Sequence, residues 1–427
     1  MDAIIILNYY KDTMVKRYLE NYKNFPREIW VITIISFINR AGTMVVPFLS
    51  EYMKESLGFS YAQVGWVMVC FGVGSLVGTF VSGKLADKYS AYKVMVFSLF
   101  TSGLIFIGLQ FVSSFDGLCF SIFLLTSIAD MFRPAMMITI NNYVTKKNRV
   151  KALALVRSAT NVGFVFGPLL GGLLISIWNY NVLFIVDGLS CVVSILIFAY
   201  LVTEKQVLYK LKFQHLEVDK LAPLKDKSFL IHWVITMITA VLFFQIFTVL
   251  PIYHKEQFGL SEFQSGLLLS FYGVLLLLFE LPVVSFVENR KYKKTLIILV
   301  GLACIGFSYL LLALINMPMV LIFSTFFMGL GSMLTFSFAS NFVSGRSFKN
   351  QEGLFMSMFQ MSYGFAHVFS AKTGLTIVDL YGFKANWLFN FGLAMVGVLL
   401  SFYLYKEVKN NLIKTKEDIV NSIFKTS

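Results

Sequence analysis

The sequence predicts an all-α integral membrane protein: twelve transmembrane helices in two pseudo-symmetric six-helix bundles. Three observations carry that prediction. Hydrophobic residues make up 57% of the 427 positions and charged residues 14%, too apolar a balance for a soluble domain of this length. The apolar residues come in runs of about 20, enough for a helix to cross a hydrocarbon core. The cations alternate with those runs.

Of the 36 Lys and Arg residues, 29 fall in segments that belong to one side of a membrane. These are the N-terminal arm (Lys11 to Arg27), the loop at Lys84, Lys88 and Lys93, the loop at Lys146 to Lys151, the middle loop (Lys205 to Lys227), the loop at Arg290 to Lys294, Arg346 with Lys349, and the tail from Lys406. Three lie opposite: Lys54, Lys255 and Lys384. Cytoplasmic loops concentrate Lys and Arg, so both ends are expected inside and the number of spans even. Four cations fall within apolar runs: Arg40, Arg133, Arg157 and Lys372.

In order along the chain, residues 1–28 form a polar, basic arm, with an interfacial helix and a disordered segment as equal alternatives. Six spans follow at 29–51, 63–84, 92–113, 117–142, 151–177 and 181–202, making an N-terminal bundle over 29–202. Residues 203–228 are a polar, Lys-rich cytoplasmic linker. The second six spans, at 229–252, 263–286, 294–315, 318–342, 353–376 and 385–405, make a C-terminal bundle over 229–405. A cytoplasmic tail occupies 406–427. The first apolar run is long enough to remain as a span, and no cleavable signal peptide precedes it. Cys70, Cys119, Cys191 and Cys304 all lie in apolar runs without metal or disulfide spacing, and read as small packing residues.

The halves resemble each other. Shifted by 201 residues, Leu57-Gly58-Phe59-Ser60 falls on Phe258-Gly259-Leu260-Ser261, Gly65 on Gly266, Gly72 on Gly273, Asp87 on Glu288 and Lys93 on Lys294. Shifted by 203, Gly171 falls on Gly374. A six-span unit used twice implies two bundles with a pathway between them.

The net charge of +13 raises nucleic acid as a partner, but its spread over short loops between spans reads as an orientation device and excludes that partner. There is no phosphate-binding loop, no metal-ligand pair and no nucleophile–base set, so neither an enzyme nor a cofactor or metal is implied. Neither side carries a soluble domain of the size a receptor would need.

Two motifs carry mechanism. The loop after span 2 reads Gly83-Lys84-Leu85-Ala86-Asp87-Lys88-Tyr89-Ser90-Ala91-Tyr92-Lys93. Gly83 is expected to let helices approach closely. Asp87, Lys88 and Lys93 place opposite charges at a helix end, where a pair made in one conformation only biases a two-state equilibrium. An ordinary charged loop is the competing reading. Span 5 carries Gly163-x-x-x-Gly167-Pro168-x-x-Gly171-Gly172. Glycines four apart make a smooth packing face, and the proline bends the helix; generic packing is the alternative.

At these motifs the chain resembles the major facilitator superfamily. The first motif is similar to that superfamily's loop 2–3 signature, with Ser90 where the pattern has Gly. The second is similar to the span 5 signature of its proton-coupled antiporters, in particular twelve-span multidrug exporters. The resemblance implies two six-helix bundles, alternating access, and export driven by inward proton flow.

Ionisable residues within spans are costly and usually functional. Arg40 in span 1 and Asp130 in span 4 lie at similar depth by residue count, and Arg133 is one turn from Asp130. An Arg40–Asp130–Arg133 cluster is predicted, with Asp130 as proton carrier; the resemblance assigns the span 4 Arg, Arg133, to proton coupling. A static buried ion pair is the alternative. Glu280 in span 8 is a second proton or substrate site, or a partner for a basic residue. Asp187 in span 6 reads mainly as a group bonding or capping a neighbouring helix. Arg157 is placed to snorkel to the inner surface, and Lys372 to the outer. Gln245, Asn161, Gln360 and His367 are candidates to line the cavity, although a lone His among apolar residues is more often simply hydrogen-bonded.

The expected function is proton-coupled transport of small amphipathic molecules out of the cell, across a bacterial inner membrane. The partners are then a small-molecule substrate, protons and the lipid bilayer, and the chain is expected to be a monomer. A dedicated exporter or importer of one metabolite, such as a siderophore, is the alternative. A membrane-embedded receptor or enzyme is the different-class alternative.

Overall fold

The computed structural model describes residues 25–42, 44–145, 148–205, 222–290, 292–346 and 352–426. Most of the N-terminal arm and of the middle linker lie outside these, as do Lys146, Lys147, Lys349 and the side chain of Asp87.

Eleven helical segments among the described residues are long and apolar enough to cross a membrane. The last, Phe355–Lys409, has 55 residues. At 1.5 Å per residue it would run about 80 Å, far beyond a hydrocarbon core of ~30 Å. It breaks at Gly382, whose φ of 80° suits a residue without Cβ. That gives twelve spans, with the last helix continuing to Thr426.

Three spans are interrupted, each next to a proline. Span 1 is two helices, Arg27–Ala41 and Val45–Glu55, with Pro47 in the first turn of the second. Span 4 divides into Phe115–Ala129 and Phe132–Tyr143 ahead of Pro134. Span 7 divides into Lys227–Thr248 and Leu250–Phe258 ahead of Pro251. A proline lacks the N–H that would bond four residues back, and its ring clashes with that carbonyl, so the helix breaks one turn earlier. Spans 5 and 8 keep Pro168 and Pro282 inside continuous helices.

The internal repeat is visible as repeated geometry. Gly58 and Gly259 have φ of 68° and 63°. Two residues on, Ser60 and Ser261 each form a capping box with Gln63 and Gln264, starting spans 2 and 8 in the same way. Packing repeats as well. In the N-terminal bundle span 1 packs on span 5, span 2 on span 4, and span 3 on span 6; in the C-terminal bundle span 7 packs on span 11, span 8 on span 10, and span 9 on span 12.

Between bundles, span 5 packs on span 8 and span 2 on span 11. The helical glycines matched by the 201-residue shift, Gly65 with Gly266 and Gly72 with Gly273, lie in these two seams. A Cβ at Gly65 would meet Lys372, and one at Gly266 would come within 2.4 Å of the Pro168 carbonyl. Gly72 abuts Val368 and His367, while Gly273 abuts Phe164 and Val165. The contacts run from the face opposite the Lys/Arg-rich loops to mid-helix at Leu76 beside Gly364, and past it at Arg157 beside Glu280.

Candidate functional site

The break in span 4 sets the centre of the N-terminal bundle. Asp130 caps the helix Phe115–Ala129, one turn before Pro134. Arg133 and Arg40 lie close enough to act on its charge, and Ser75 of span 2 supplies a hydroxyl to its carboxylate. The Arg40 guanidinium also stacks over the Phe164 ring, 4.9 Å from its centroid. Span 4 therefore breaks where the polar cluster sits, and the cluster adjoins the inter-bundle seam through Phe164.

An aromatic wall continues from that point into the C-terminal bundle. Phe164 meets Phe247 and Tyr272 with ring centroids 5.7 and 6.1 Å apart. Phe243 lies 5.2 Å from Phe336, which lies 5.8 Å from Tyr363. His367 is stacked on Phe244 and tilted against Phe71 of the other bundle, where the charges of Arg133 and Arg40 reach it. Charged groups of the N-terminal bundle thus adjoin an aromatic seam that runs into the other bundle.

Glu280 and Arg157 form an ion pair of 2.8 Å across the bundles, and Ser337 donates to the same carboxylate oxygen at 3.0 Å. Arg157 was expected to snorkel toward the inner surface. The close packing of spans 5 and 8, which run antiparallel, brings it opposite Glu280 in the half nearer the Lys/Arg-rich loops, with its side chain still largely exposed.

Other candidates are placed as follows. Gln245 is buried, donates to the Ser370 carbonyl at 2.8 Å and accepts from Asn386 at 3.4 Å, within the C-terminal bundle. Asn161 is half-buried and Gln360 exposed. The Lys372 ammonium lies over the Trp66 ring at 4.5 Å. Asp187 is fully buried and accepts the backbone N–H groups of Met44 and Val45 at 3.0 and 2.9 Å. It caps, from span 6, the helix that restarts after the break in span 1; the first N–H groups of a helix have no partner within it.

The span 5 glycines divide between two neighbours. Cβ atoms at Gly163, Gly167 and Gly171 would come within 2.8, 3.4 and 3.0 Å of span 1 atoms, whereas one at Gly172 would lie 2.4 Å from the Glu262 carbonyl of span 8. Pro168 presents its carbonyl to Gly266. In the loop after span 2, Ser90 caps span 3 by accepting from the Lys93 N–H and donates to Glu204 at 2.6 Å. Lys93 lies 4.0 Å from the same carboxylate, and Lys88 over the Tyr89 ring. A Cβ at Gly83 would meet no atom of the described residues within 4 Å, so among them the close approach expected there is not made in this conformation. That end of span 2 lies beyond the named contacts between bundles.

Sequence reasoning missed a second cluster, on the face away from the Lys/Arg-rich loops. Lys255, in the extension of span 7, is hydrogen-bonded to Glu262 of span 8 and to Glu55 of span 1, the latter at 2.6 Å. Glu51 lies 3.8 Å from the same ammonium. The Tyr180 hydroxyl of span 6 donates to Glu55 at 3.1 Å and to Glu262 at 3.3 Å. Burial opposes the charge on Lys255, yet its bonds to Glu262 and Glu55 hold its pKa above the usual lysine range. Nearby, Tyr61 of span 2 donates to Glu256. The signal was two acids four residues apart at the end of an apolar run.

The sequence profile of the Major Facilitator Superfamily matches residues 29–371, and a second match covers 233–425. The uncharacterized MFS-type transporter YqjV of Bacillus subtilis (strain 168) is 23% identical over 413 residues, covering 92% of this chain and 97% of that one. A Na(+), Li(+), K(+)/H(+) antiporter of Planococcus maritimus is 26% identical over 239 residues, 52% of this chain and 55% of that protein. The crystal structure of nucleoside transporter NupG superposes with a TM-score of 0.75 at 19% identity, over 89% of this chain and 100% of that one. At that identity the likeness is one of fold.

Proposed function

This chain belongs to the Major Facilitator Superfamily, and from that premise we propose that it exports small amphipathic compounds in exchange for protons by alternating access. Its class, a multi-pass membrane transporter and not an enzyme, follows from the family and from its relatives. The finer reading places it in the inner membrane of a bacterium, with both termini cytoplasmic and the Lys/Arg-rich loops inside.

One observation carries the proposal: an ionisable cluster at a helix break, adjoining an aromatic wall that spans both bundles. Asp130 ionised balances one of the two neighbouring guanidinium charges; protonated, it balances neither. Proton uptake therefore changes the charge of the central site by one, which biases whichever conformation holds that charge at lower cost. The rings of Phe164, Phe243 and Phe336 offer apolar surface and π-faces to the rest of an amphipathic substrate. The contacts of spans 5 with 8 and 2 with 11 close the half away from the Lys/Arg-rich loops, which supports reading this conformation as closed on the outer face.

Proton release by purified protein in weak buffer tests this. A panel of lipophilic cations and, separately, anionic siderophore-like compounds is added to wild type and to Asp130→Asn. Release with the amphipathic panel, lost in the variant, is expected. Binding without release in wild type sinks proton coupling, and release with a single anionic metabolite only makes the chain a dedicated exporter. A second reading, exchange of monovalent cations for protons, is favoured by the antiporter relative. It predicts release with Na⁺, Li⁺ or K⁺ alone.

A further inference from the structure

The cluster around Lys255 carries more carboxylates than one ammonium can balance. Oxygens of Glu51, Glu55 and Glu262 all lie within 4.8 Å of one another. With all three ionised, the group holds two uncompensated negative charges. Glu55 and Glu262 are well served: each accepts from Lys255 and from Tyr180. Glu51 is not. It is 2% exposed, and among the described residues neither of its oxygens has a hydrogen-bond partner. An ionised carboxylate so placed is strongly disfavoured, whereas a neutral carboxylic acid is not.

The groups facing Glu51 come from both bundles: Glu55 from its own helix, Tyr180 from span 6, Lys255 from the extension of span 7, and Glu262 from span 8. His254, beside Lys255, is turned to Ser265, with Nδ1 at 2.8 Å from its hydroxyl.

We propose that Glu51 is a proton-binding site of the outer latch, loaded when the two bundles close on that face and emptied when they part. Closure brings Glu262 and Lys255 of one bundle onto Glu51 and Glu55 of the other, and the carboxylate least served by donors takes a proton from the adjoining water. Separation returns water to Glu51, which ionises and releases the proton. A metal ion fits less well, because the ammonium already sits among the three carboxylates and repels a second full cation. The inference uses the family's alternation between two open faces but not Asp130 as carrier, so the two can fail separately.

The test is the distance between outer loops in full-length protein reconstituted in lipid nanodiscs. Spin labels are placed at Phe111→Cys and Met317→Cys, both exposed loop positions, after replacement of Cys70, Cys119, Cys191 and Cys304. In wild type the short-distance population should grow as pH falls from about 9 to about 5, with a closing equilibrium that changes by up to about tenfold per pH unit for one linked proton. Glu51→Gln, neutral at every pH, should stay closed throughout, and Glu51→Asp should restore the dependence, which separates the effect from misfolding. A wild-type distance that ignores pH overturns the proposal, as does a Glu51→Gln variant with the wild-type response. Closure driven at constant pH by added Na⁺ or Ca²⁺ replaces the proton with a metal ion.

Discussion

The two bundles repeat one backbone plan and bury different chemistry. In the N-terminal bundle the broken helices carry charge: Arg40, Asp130 and Arg133 gather near the centre, and Asp187 caps the break in span 1. In the C-terminal bundle the break in span 7 lies among buried neutral groups, Gln245, His254, Asn386 and Trp387, and the seam beside it is aromatic. Neutral dipoles can be buried with partial bonding at modest cost, but a buried charge needs a counter-charge or a proton. On the proposed function, the site that changes charge is then expected in the first bundle, with the aromatic seam of the second supplying shape and surface.

Four experiments break or sharpen that contrast. The largest effect is expected from Asp130→Asn, which should reduce proton-driven transport in vesicles to background while membrane insertion is kept; retained transport would move proton coupling away from the Asp130 cluster. Gly172→Leu comes next. Its Cβ alone would lie 2.4 Å from the Glu262 carbonyl, so overpacking should cost about 1–3 kcal/mol of the closed outer face and slow transport roughly tenfold. Gly83→Ala, with no atom nearby in this conformation, is the control, and equal transport by both variants would remove the seam from the mechanism. Asp187→Asn weakens two charge-assisted hydrogen bonds and should destabilise the purified protein by about 1–3 kcal/mol, read as a lower melting temperature. An unchanged melting temperature would show that the carboxylate's charge does not stabilise the break in span 1. The smallest effect is expected from Phe336→Ala, a few-fold weaker affinity for aromatic cations and none for aliphatic ones, consistent with about 0.5–1 kcal/mol for one ring. Equal losses for both classes would make the aromatic wall mere packing.

Much of this architecture was legible along the chain. The repeat predicted at Gly58 and Gly259 returns as two positive-φ glycines, each followed by a capping box, because those geometries depend on residues within four positions of each other. The prolines likewise act locally, one turn back. Asp187 was read as capping a neighbouring helix, and its partners proved to be Met44 and Val45, over 140 residues away. Arg157 pairs with Glu280, a partner the depth count did not name, because snorkelling and pairing look alike from depth alone.

What the sequence by itself determined, then, is whatever hydropathy and short-range backbone chemistry decide: an even set of spans and the duplicated six-span unit, with charge placement supplying the orientation it predicts; the breaks in spans 1, 4 and 7 follow from local proline chemistry but were read only in the structure. Only the tertiary structure decided which charges meet. Arg157 with Glu280, and Lys255 with Glu51, Glu55 and Glu262, join residues from opposite bundles. The rotation of each helix about its axis selects the face a side chain presents, and the approach of the two bundles selects what it finds there. Neither quantity is written in the spacing of residues along one apolar run.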